Sequence, residues 1–168
     1  SEKKEDLQKD VNQLEKNLEH QKKIGDIAEE IVLNFEKNRL KNLGFEDESN
    51  KTRRISIDFA NAGYDIESFN GKTNDGLPDR FIEVKGTTKK ELDFHWSINE
   101  INIAKNLGSH YWIYHVSEID VQNKISVMIS VNSIDNCTDT YCISNSFFFF
   151  SNRYTTFTDI GETIIKNG

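Results

Sequence analysis

Cysteine, proline and long apolar runs are scarce in this chain. Its 168 residues include one proline and two cysteines, Cys137 and Cys142. The cysteines have no neighbours at zinc-finger spacing, so we expect two free thiols in a reducing compartment, and a bridge between them is not predicted. No apolar stretch approaches the length of a bilayer span, and the first residues lack a signal-peptide pattern. These absences predict a cytoplasmic protein with no membrane-spanning helix.

Positive charge is also in short supply. The net charge of −7 at pH 7 argues against a broad surface that coats nucleic acid. It does not exclude a metal site, because such a site needs clustered carboxylates and the bound cation changes the local field. Phosphate contacts would come from local basic patches, for which the candidates are Arg53, Arg54, Lys89 and Lys90. No P-loop motif is present, so a helicase or ATPase partner would lie on another chain or domain.

The first 23 residues are polar but carry an apolar seam. Leu7, Val11, Leu14 and Leu18 repeat at 4-3-4 spacing, which is typical of a short coiled coil. Its short length makes an independent coiled coil marginal. Three readings remain open: pairing with a partner or a second copy, the end of a longer helix, and a helix packed on its own domain.

A second helical pattern begins at Ile24 and is expected to stop at Gly44. Its apolar positions recur with helical spacing on one face. On a helical wheel, Glu29 and Glu36 share one edge of that face, and Glu30 falls on the opposite side.

The rest of the chain alternates strand and helix signals. Residues 45–54 are predicted to form a loop, and the alternation of Ile55, Ile57 and Phe59 predicts a strand. Further strands are expected at 64–69, 80–87, 111–116, 124–131 and 147–150, with a helix at 97–107 that starts in a Ser97–Glu100 capping box. Segments 64–69 and 80–87 would form a hairpin across a turn-rich connection. The order predicts an N-terminal helical extension at 1–23 and one mixed α/β domain at 24–168.

The residues with the clearest chemistry are Glu83, Val84 and Lys85. Alternate residues of a strand face the same side, so Glu83 and Lys85 point together while Val84 packs into the core. The carboxylate can bind a hard cation such as Mg²⁺, with Mn²⁺ as a substitute. The lysine can orient or help to deprotonate an attacking water and can stabilise negative charge. This pair suits hydrolysis of a phosphodiester bond.

A second carboxylate is expected on the partner strand of the hairpin. Asp65 lies on that strand, and pairing would bring it to Glu83. The backbone carbonyl of Val84 could add a ligand, and Glu29 could contribute through a water or a second metal. The literal Pro78-Asp79 pair also precedes Glu83, but it lies at a strand entrance, so we favour Asp65 as the ligand.

Each of these residues also has an ordinary structural interpretation. Glu-x-Lys pairs occur by chance in many proteins, and an Asp after Gly-Tyr is usually a turn residue. Three further acidic or imidazole groups are candidates for supporting roles: Glu36, Glu100 and His95. Of these, Glu100 has a competing role in the capping box and His95 is more often a half-buried structural residue. The aromatic residues from Tyr111 to Tyr114 are interpreted as core and interface.

Four blocks in order resemble the no-vein C-terminal domain family, a branch of the PD-(D/E)XK nuclease superfamily. The blocks are Gly25-Asp-Ile-Ala-Glu29-Glu30-Ile-Val32, Asp58-Phe-Ala-Asn-Ala-Gly63-Tyr64-Asp65-Ile66-Glu67-Ser68, Phe81-Ile-Glu83-Val-Lys85-Gly86-Thr87 and Ser97-Ile-Asn99-Glu100-Ile101. They span about residues 24–116, a little over half of the chain. The heptads and the region after about residue 120 lie outside the resemblance.

The resemblance implies a restriction-endonuclease-like fold, with a mixed sheet flanked by helices, and a place in restriction or phage-defence systems. It implies metal ligation by Asp65 and Glu83, a catalytic role for Lys85 and a supporting role for Glu29. The expected activity is Mg²⁺-dependent endonucleolytic cleavage of DNA, although the residues do not distinguish DNA from RNA. The alternatives are a catalytically silent or partner-dependent nucleic-acid-binding and assembly module on the same fold, and a purely structural domain in which these side chains would not converge.

Overall fold

The protein is described by a computed structural model that covers residues 2–59, 61–73, 75–90, 97–126, 128–133 and 148–151. Its helices are α1 (Glu2–Asn42), α2 (Glu46–Lys51) and α3 (Ile98–Leu107), followed by a 3₁₀ turn at Gly108–His110. Its strands are β1 (Arg53–Arg54), β2 (Ile66–Ser68), β3 (Arg80–Gly86), β4 (Tyr111–Ser117), β5 (Met128–Ser133) and β6 (Phe148–Ser151). None of the helices in these ranges is long and apolar enough to cross a membrane. Cys137 and Cys142 lie outside the described residues.

Helix α1 joins the two predicted helical segments without a break. It is 41 residues long, which corresponds to about 60 Å. Its second half buries an apolar stripe that includes Ile27, Ala28 and Val32. In its first half, Val11, Leu14 and Leu18 are 42%, 59% and 57% exposed, so the described part of the domain leaves the seam uncovered. The helix ends before Gly44, whose positive φ of 83° suits glycine, and this confirms the predicted stop.

The strands form one mixed sheet in the order β1-β2-β3-β4-β5-β6. The β3–β4 pair is parallel, and each other neighbouring pair of described strands is antiparallel. Helix α3 lies in the chain between the two parallel strands, as a crossover connection requires. This arrangement confirms the mixed α/β class and the predicted hairpin between β2 and β3, and it fits a mixed sheet flanked by helices.

The two faces of the sheet have separate apolar cores. On one face, α1 packs against the alternating residues Ile82 and Val84 of β3 and Tyr114 and Val116 of β4. On the other face, Ala104 of α3 packs with Tyr111 and Ile113 of β4. Because β3 alternates, the residues between its core positions point to the α3 face. The sheet therefore delivers Glu83 and Lys85 to the side away from α1.

Three local predictions were wrong. Residues 45–54 contain helix α2 and strand β1 rather than a loop only. The predicted strand through Ile55, Ile57 and Phe59 is a turn, because the N–H groups of Asp58 and Phe59 both donate to the carbonyl of Ile55. Strand β5 begins at Met128, later than expected, because the chain first turns back on itself through the Asp120–Ile125 bridge. Ile57 and Phe59 are exposed in the turn at residues 55–59, as is Asp58 between them, so their alternation does not mark a buried face.

Helix α1 approaches β3 closely at Gly86. A Cβ atom at this position would lie 2.6 Å from the Cβ of Ala28 and 3.3 Å from the backbone oxygen of Ile24. Neither neighbour is the flexible end of a side chain, so the backbone would have to move. A side chain at position 86 would therefore push the helix away from the sheet.

We expect Gly86→Ala to lower the free energy of unfolding by about 1–3 kcal/mol, because it overpacks this contact. Gly25→Ala is the matched control, since a Cβ there meets no atom within 4 Å and lies in a helix. It should stabilise the protein by about 0.5–1 kcal/mol. Chemical denaturation of the three proteins measures both changes. Equal stability of Gly86→Ala and the parent protein would contradict the close approach.

Candidate active site

The β2–β3 hairpin brings Asp65 and Glu83 to opposite positions. Ile66 pairs with Ile82 in antiparallel register, so the preceding residue of one strand faces the following residue of the other. Two hydrogen bonds hold Asp65 there: its N–H donates to the carbonyl of Ile82, and the N–H of Val84 donates to its Oδ2, each at 2.8 Å. The predicted convergence of the two carboxylates is therefore present in the structure.

Lys85 connects β3 to helix α3. Its Nζ lies 2.6 Å from Oε1 of Glu83 and 2.9 Å from Oε2 of Glu100. Glu100 is held in place by the predicted capping box, in which it accepts from the Ser97 N–H at 3.0 Å while the Ser97 hydroxyl accepts from the Glu100 N–H at 3.2 Å. The capping role and a place in the site are thus compatible, because one carboxylate does both.

The carboxylates of this cluster are costly to keep charged without a cation. Burial raises the pKa of Glu83 well above its ordinary range. The negative charge of Asp65 raises it further, and the positive charge of Lys85 opposes the rise. Burial and the charge of Glu29 likewise raise the pKa of Asp65. The hydrogen bond from the Val84 N–H and the charge of Lys85 act in the opposite direction and lower it. For Lys85, burial opposes the charge, but the Glu83 and Glu100 carboxylates outweigh it and raise its pKa. The lysine is held as an ammonium ion, which favours a charge-stabilising role over that of a base.

Glu29 of helix α1 is close enough to the site for its charge to raise the pKa of Asp65, in addition to the larger effect of burial. Its carboxylate accepts hydrogen bonds from Arg54 and from the Ser56 hydroxyl. Arg54 also contacts Asp26 at 2.5 Å, so this predicted phosphate contact is engaged by two carboxylates of α1. Glu30 points elsewhere and lies 3.7 Å from Lys124. The helical wheel correctly separated Glu29 from Glu30. No sequence pattern indicated the hydrogen bond from Ser56 to Glu29.

Tyr111 is a neighbour of the site, which the core and interface role predicted from the sequence did not include. Its hydroxyl donates to the carbonyl of Gly63 at 2.8 Å, two residues before Asp65. Burial, followed by the Glu83 and Glu100 carboxylates, raises the pKa of Tyr111. Gly63 itself has a φ of 78°, and a Cβ there would lie 2.7 Å from Ile103 of α3. The glycine lets helix α3 and the loop before Asp65 meet closely.

The donor set fits a hard divalent cation. Asp65 and Glu83 supply two buried carboxylates on adjacent strands. Burial first, and then neighbouring carboxylates, raise the pKa of each, so a cation between them would favour their charged forms. The described residues contain no ready-made group of three His, Cys, Asp or Glu side chains for a metal. This does not conflict with Mg²⁺, which is usually held by one or two carboxylates together with waters and substrate phosphates.

The remaining candidates lie apart from the cluster or outside the described residues. Asp79 is a loop anchor, since it accepts from the Asn70 N–H at 2.7 Å. Arg53 pairs with Glu67 at 2.8 Å at the edge of the sheet, and Lys89 and Lys90 are exposed. His95 lies outside the described residues.

Glu36 belongs to a separate buried network under the other face of the sheet. It is fully buried and contacts Arg39 at 2.8 Å, Arg80 at 3.4 Å and the Ser68 hydroxyl at 2.7 Å. Tyr114 also donates a hydrogen bond to it. Burial opposes the charge, but the two guanidinium groups outweigh it and hold the pKa of Glu36 at about 2. The network joins α1 to three strands, β2, β3 and β4, and its geometry indicates a structural role.

A comparison with protein families matches residues 28–129 to the family described as Protein NO VEIN, C-terminal. The match covers more than half of the chain and includes Glu29, Asp65, Glu83, Lys85 and Glu100. Neither the curated proteins nor the solved structures contain a match to the chain.

The Glu36 network predicts a specific pH dependence. The pKa of Glu36 is lowered from 4.5, the value in the unfolded chain, to about 2. The stabilising effect of the charged carboxylate is therefore complete above pH 4.5 and is lost as the pH falls toward about 2. We expect acidification through this window to remove roughly 3 kcal/mol, and Glu36→Gln to cost about 3–5 kcal/mol near pH 6, because it leaves buried guanidinium charge unpaired. The cost of the substitution should shrink toward pH 2.

Denaturation at a series of pH values measures this effect. Glu30→Gln is the control, because the exposed Glu30 should change stability by no more than about 0.5 kcal/mol. A Glu36→Gln variant as stable as the parent protein near pH 6 would show that the network contributes nothing.

Proposed function

The chain belongs to the family of NO VEIN C-terminal domains, and we propose that it is a metal-dependent endonuclease domain that hydrolyses phosphodiester bonds in DNA. The observation that carries the proposal is the convergence of Asp65, Glu83 and Lys85 at one end of the β2–β3 hairpin. Chance Glu-x-Lys and Gly-Tyr-Asp sequences would have no reason to meet in the fold. Their meeting counts against the purely structural alternative.

Asp65 and Glu83 would hold the cation, with the carbonyl of Val84 as a further oxygen donor. The N–H and C=O groups of a strand residue point to the same side, and the Val84 N–H already points to Asp65. A bound divalent cation supplies charge neutralisation at the phosphate and lowers the pKa of bound water. Mg²⁺ is the expected ion, and Mn²⁺ should substitute for it.

Lys85 supports the reaction through its charge. Its ammonium group can orient a water by hydrogen bonding and stabilise negative charge on a phosphate oxygen. Glu100 positions this ammonium group from α3, since its carboxylate lies 2.9 Å from Nζ of Lys85. Glu29, whose charge acts on Asp65, pairs with Arg54. In this arrangement Asp65 and Glu83 are the metal ligands, Lys85 stabilises charge and Glu100 positions Lys85.

We propose a restriction or phage-defence setting, which the resemblance to the no-vein C-terminal domain family implies. We place the activity in the cytoplasm, where the DNA substrate is accessible and thiols stay reduced. A helicase, ATPase or specificity domain elsewhere would supply what this acidic domain lacks, and the exposed seam of α1 offers a place for assembly.

Metal-dependent cleavage tests the proposal directly. The purified protein should nick or degrade DNA with Mg²⁺ or Mn²⁺, and Asp65→Ala or Glu83→Ala should reduce the rate on the order of a hundredfold or more, because each removes an oxygen donor. Asp79→Ala is the matched control, since it removes the carboxylate of the literal Pro-Asp pair and should leave cleavage intact. Unchanged cutting in both site variants would contradict the assignment.

One observation favours a second function, a binding or assembly module on the same fold. Lys85 already pairs with both Glu83 and Glu100, so part of the negative charge of the cluster is offset before any metal binds. Such a module would bind nucleic acid or a partner without cutting.

Calorimetric titration with Mg²⁺ and Mn²⁺ separates these functions. We expect binding that is lost in Asp65→Asn and retained in Asp79→Asn, because only the former removes a ligand charge. Metal binding without cleavage of any nucleic acid would favour the module over the enzyme. Equal metal binding by both variants would refute the assigned ligands.

A further inference from the structure

An open cleft is lined by residues of the segment from Arg53 to Ala62 and by Tyr64 and Glu67, which lie one residue before and two residues after Asp65 in the chain. Its volume is about 640 Å³, within the usual range for small-molecule sites. Phe59 and Tyr64 supply aromatic surface, while Arg53, Asp58 and Asn61 supply polar groups.

The cleft and the carboxylates share one face of the sheet. Glu67, which lines the cleft, lies two residues beyond Asp65, so both point to the same side. Glu67 pairs with Phe81 just as Asp65 faces Glu83. Two residues along a strand correspond to about 7 Å, which is close to the spacing of neighbouring nucleotides. A nucleic-acid strand with one phosphate at Asp65 and Glu83 would therefore place a neighbouring base at the cleft.

The aromatic wall is built for stacking. The Tyr64 ring packs edge-on against Phe81 at a centroid distance of 5.0 Å, and its hydroxyl donates to Glu67 at 3.2 Å. Phe59 is 61% exposed, so much of its ring is accessible to a ligand in the cleft. The opposite end of the loop is anchored, because the Asn99 side chain of α3 donates to the carbonyl of Asn61 at 3.1 Å. One ring is therefore held in place and the other is presented to solvent.

The charges of the lining favour a base over a phosphate. Arg53 is paired with Glu67 at 2.8 Å, which neutralises the guanidinium. Asp58 is exposed and leaves the lining with net negative charge. A carboxylate repels phosphate, whereas it accepts hydrogen bonds from the N–H groups of cytosine, adenine or guanine.

We propose that this cleft is a subsite for an unpaired nucleobase, which stacks on Phe59 next to the phosphodiester held at Asp65 and Glu83. The inference rests on the proposed function for its substrate, and it deepens that function by requiring at least one unstacked base at the site. A base still paired in a duplex cannot enter a cleft of this kind without leaving the stack. The subsite thus predicts a preference for single-stranded or locally opened nucleic acid.

Oligonucleotide binding in EDTA tests the subsite without cleavage. The probe is a short, fluorescently labelled single strand containing cytosine and adenine, measured by anisotropy. We expect Phe59→Ala to weaken binding roughly 5- to 150-fold, because it removes one stacked base contact. Phe59→Trp should retain binding, and Phe59→Leu should lose it, since leucine keeps apolar surface but no ring face.

Ile57→Ala is the matched control. Ile57 is 72% exposed in the same turn but is not among the residues that line the cleft as described. An abasic strand of the same length should bind as weakly to the parent protein as the intact strand binds to Phe59→Ala. DNA and RNA versions of the probe show which sugar the site accepts.

The outcomes separate the subsite from the nuclease. Phe59-dependent binding without any metal-dependent cleavage would support the subsite and refute the enzyme. Cleavage and binding that are both unchanged in Phe59→Ala would support the enzyme and overturn the subsite. Equal binding of abasic and intact strands, or no oligonucleotide binding at all, would also overturn the subsite.

Discussion

The packing of helix α1 against strand β3 is the contact on which the rest of the structure depends. Ile82 and Val84 face the helix, and Gly86 lets it approach until Ala28 lies against the strand. Once those residues are buried, strand alternation requires Glu83 and Lys85 to face the other side. Burial of apolar side chains on one face of the sheet thus places a polar cluster on the opposite face, where each buried charged group needs a partner.

The charged groups are arranged as two networks with opposite consequences. Around Glu36, two guanidinium groups outweigh burial and keep the carboxylate ionised, so the network stabilises the fold. Around Asp65 and Glu83, burial first raises the pKa values of both carboxyl groups, and neighbouring carboxylates, which outnumber the single lysine, raise them further. An excess of buried negative charge is unfavourable in the free protein and becomes favourable when a cation arrives. This contrast is the physical reason to separate the structural glutamate from the candidate ligands.

Sequence patterns predicted the elements whose signals are local and redundant. The α3 capping box needs only Ser97 and Glu100 three residues apart, and the stop at Gly44 needs only a positive φ. The hairpin followed from two apolar strands around a turn-rich segment. The strand predicted at Ile55 failed because alternation does not record whether a partner strand is present, and the chain there closes a turn instead. Helix α2 was missed because its six polar residues carry no apolar stripe; its buried residues are Glu48 and Ser49.

By itself, the sequence determined that Glu83 and Lys85 share a face, that Asp65 lies in a segment able to pair with their strand, and that Glu29 lies on the core edge of its helix. These are consequences of the strand period of two and the helical period of 3.6, which need no knowledge of the fold. Only the tertiary structure decided that Lys85 bridges Glu83 and Glu100, that Arg54 is engaged by Glu29, and that Tyr111 supports the loop before Asp65. Those contacts join residues far apart in the chain, and their energies depend on burial and distance, which no local pattern specifies.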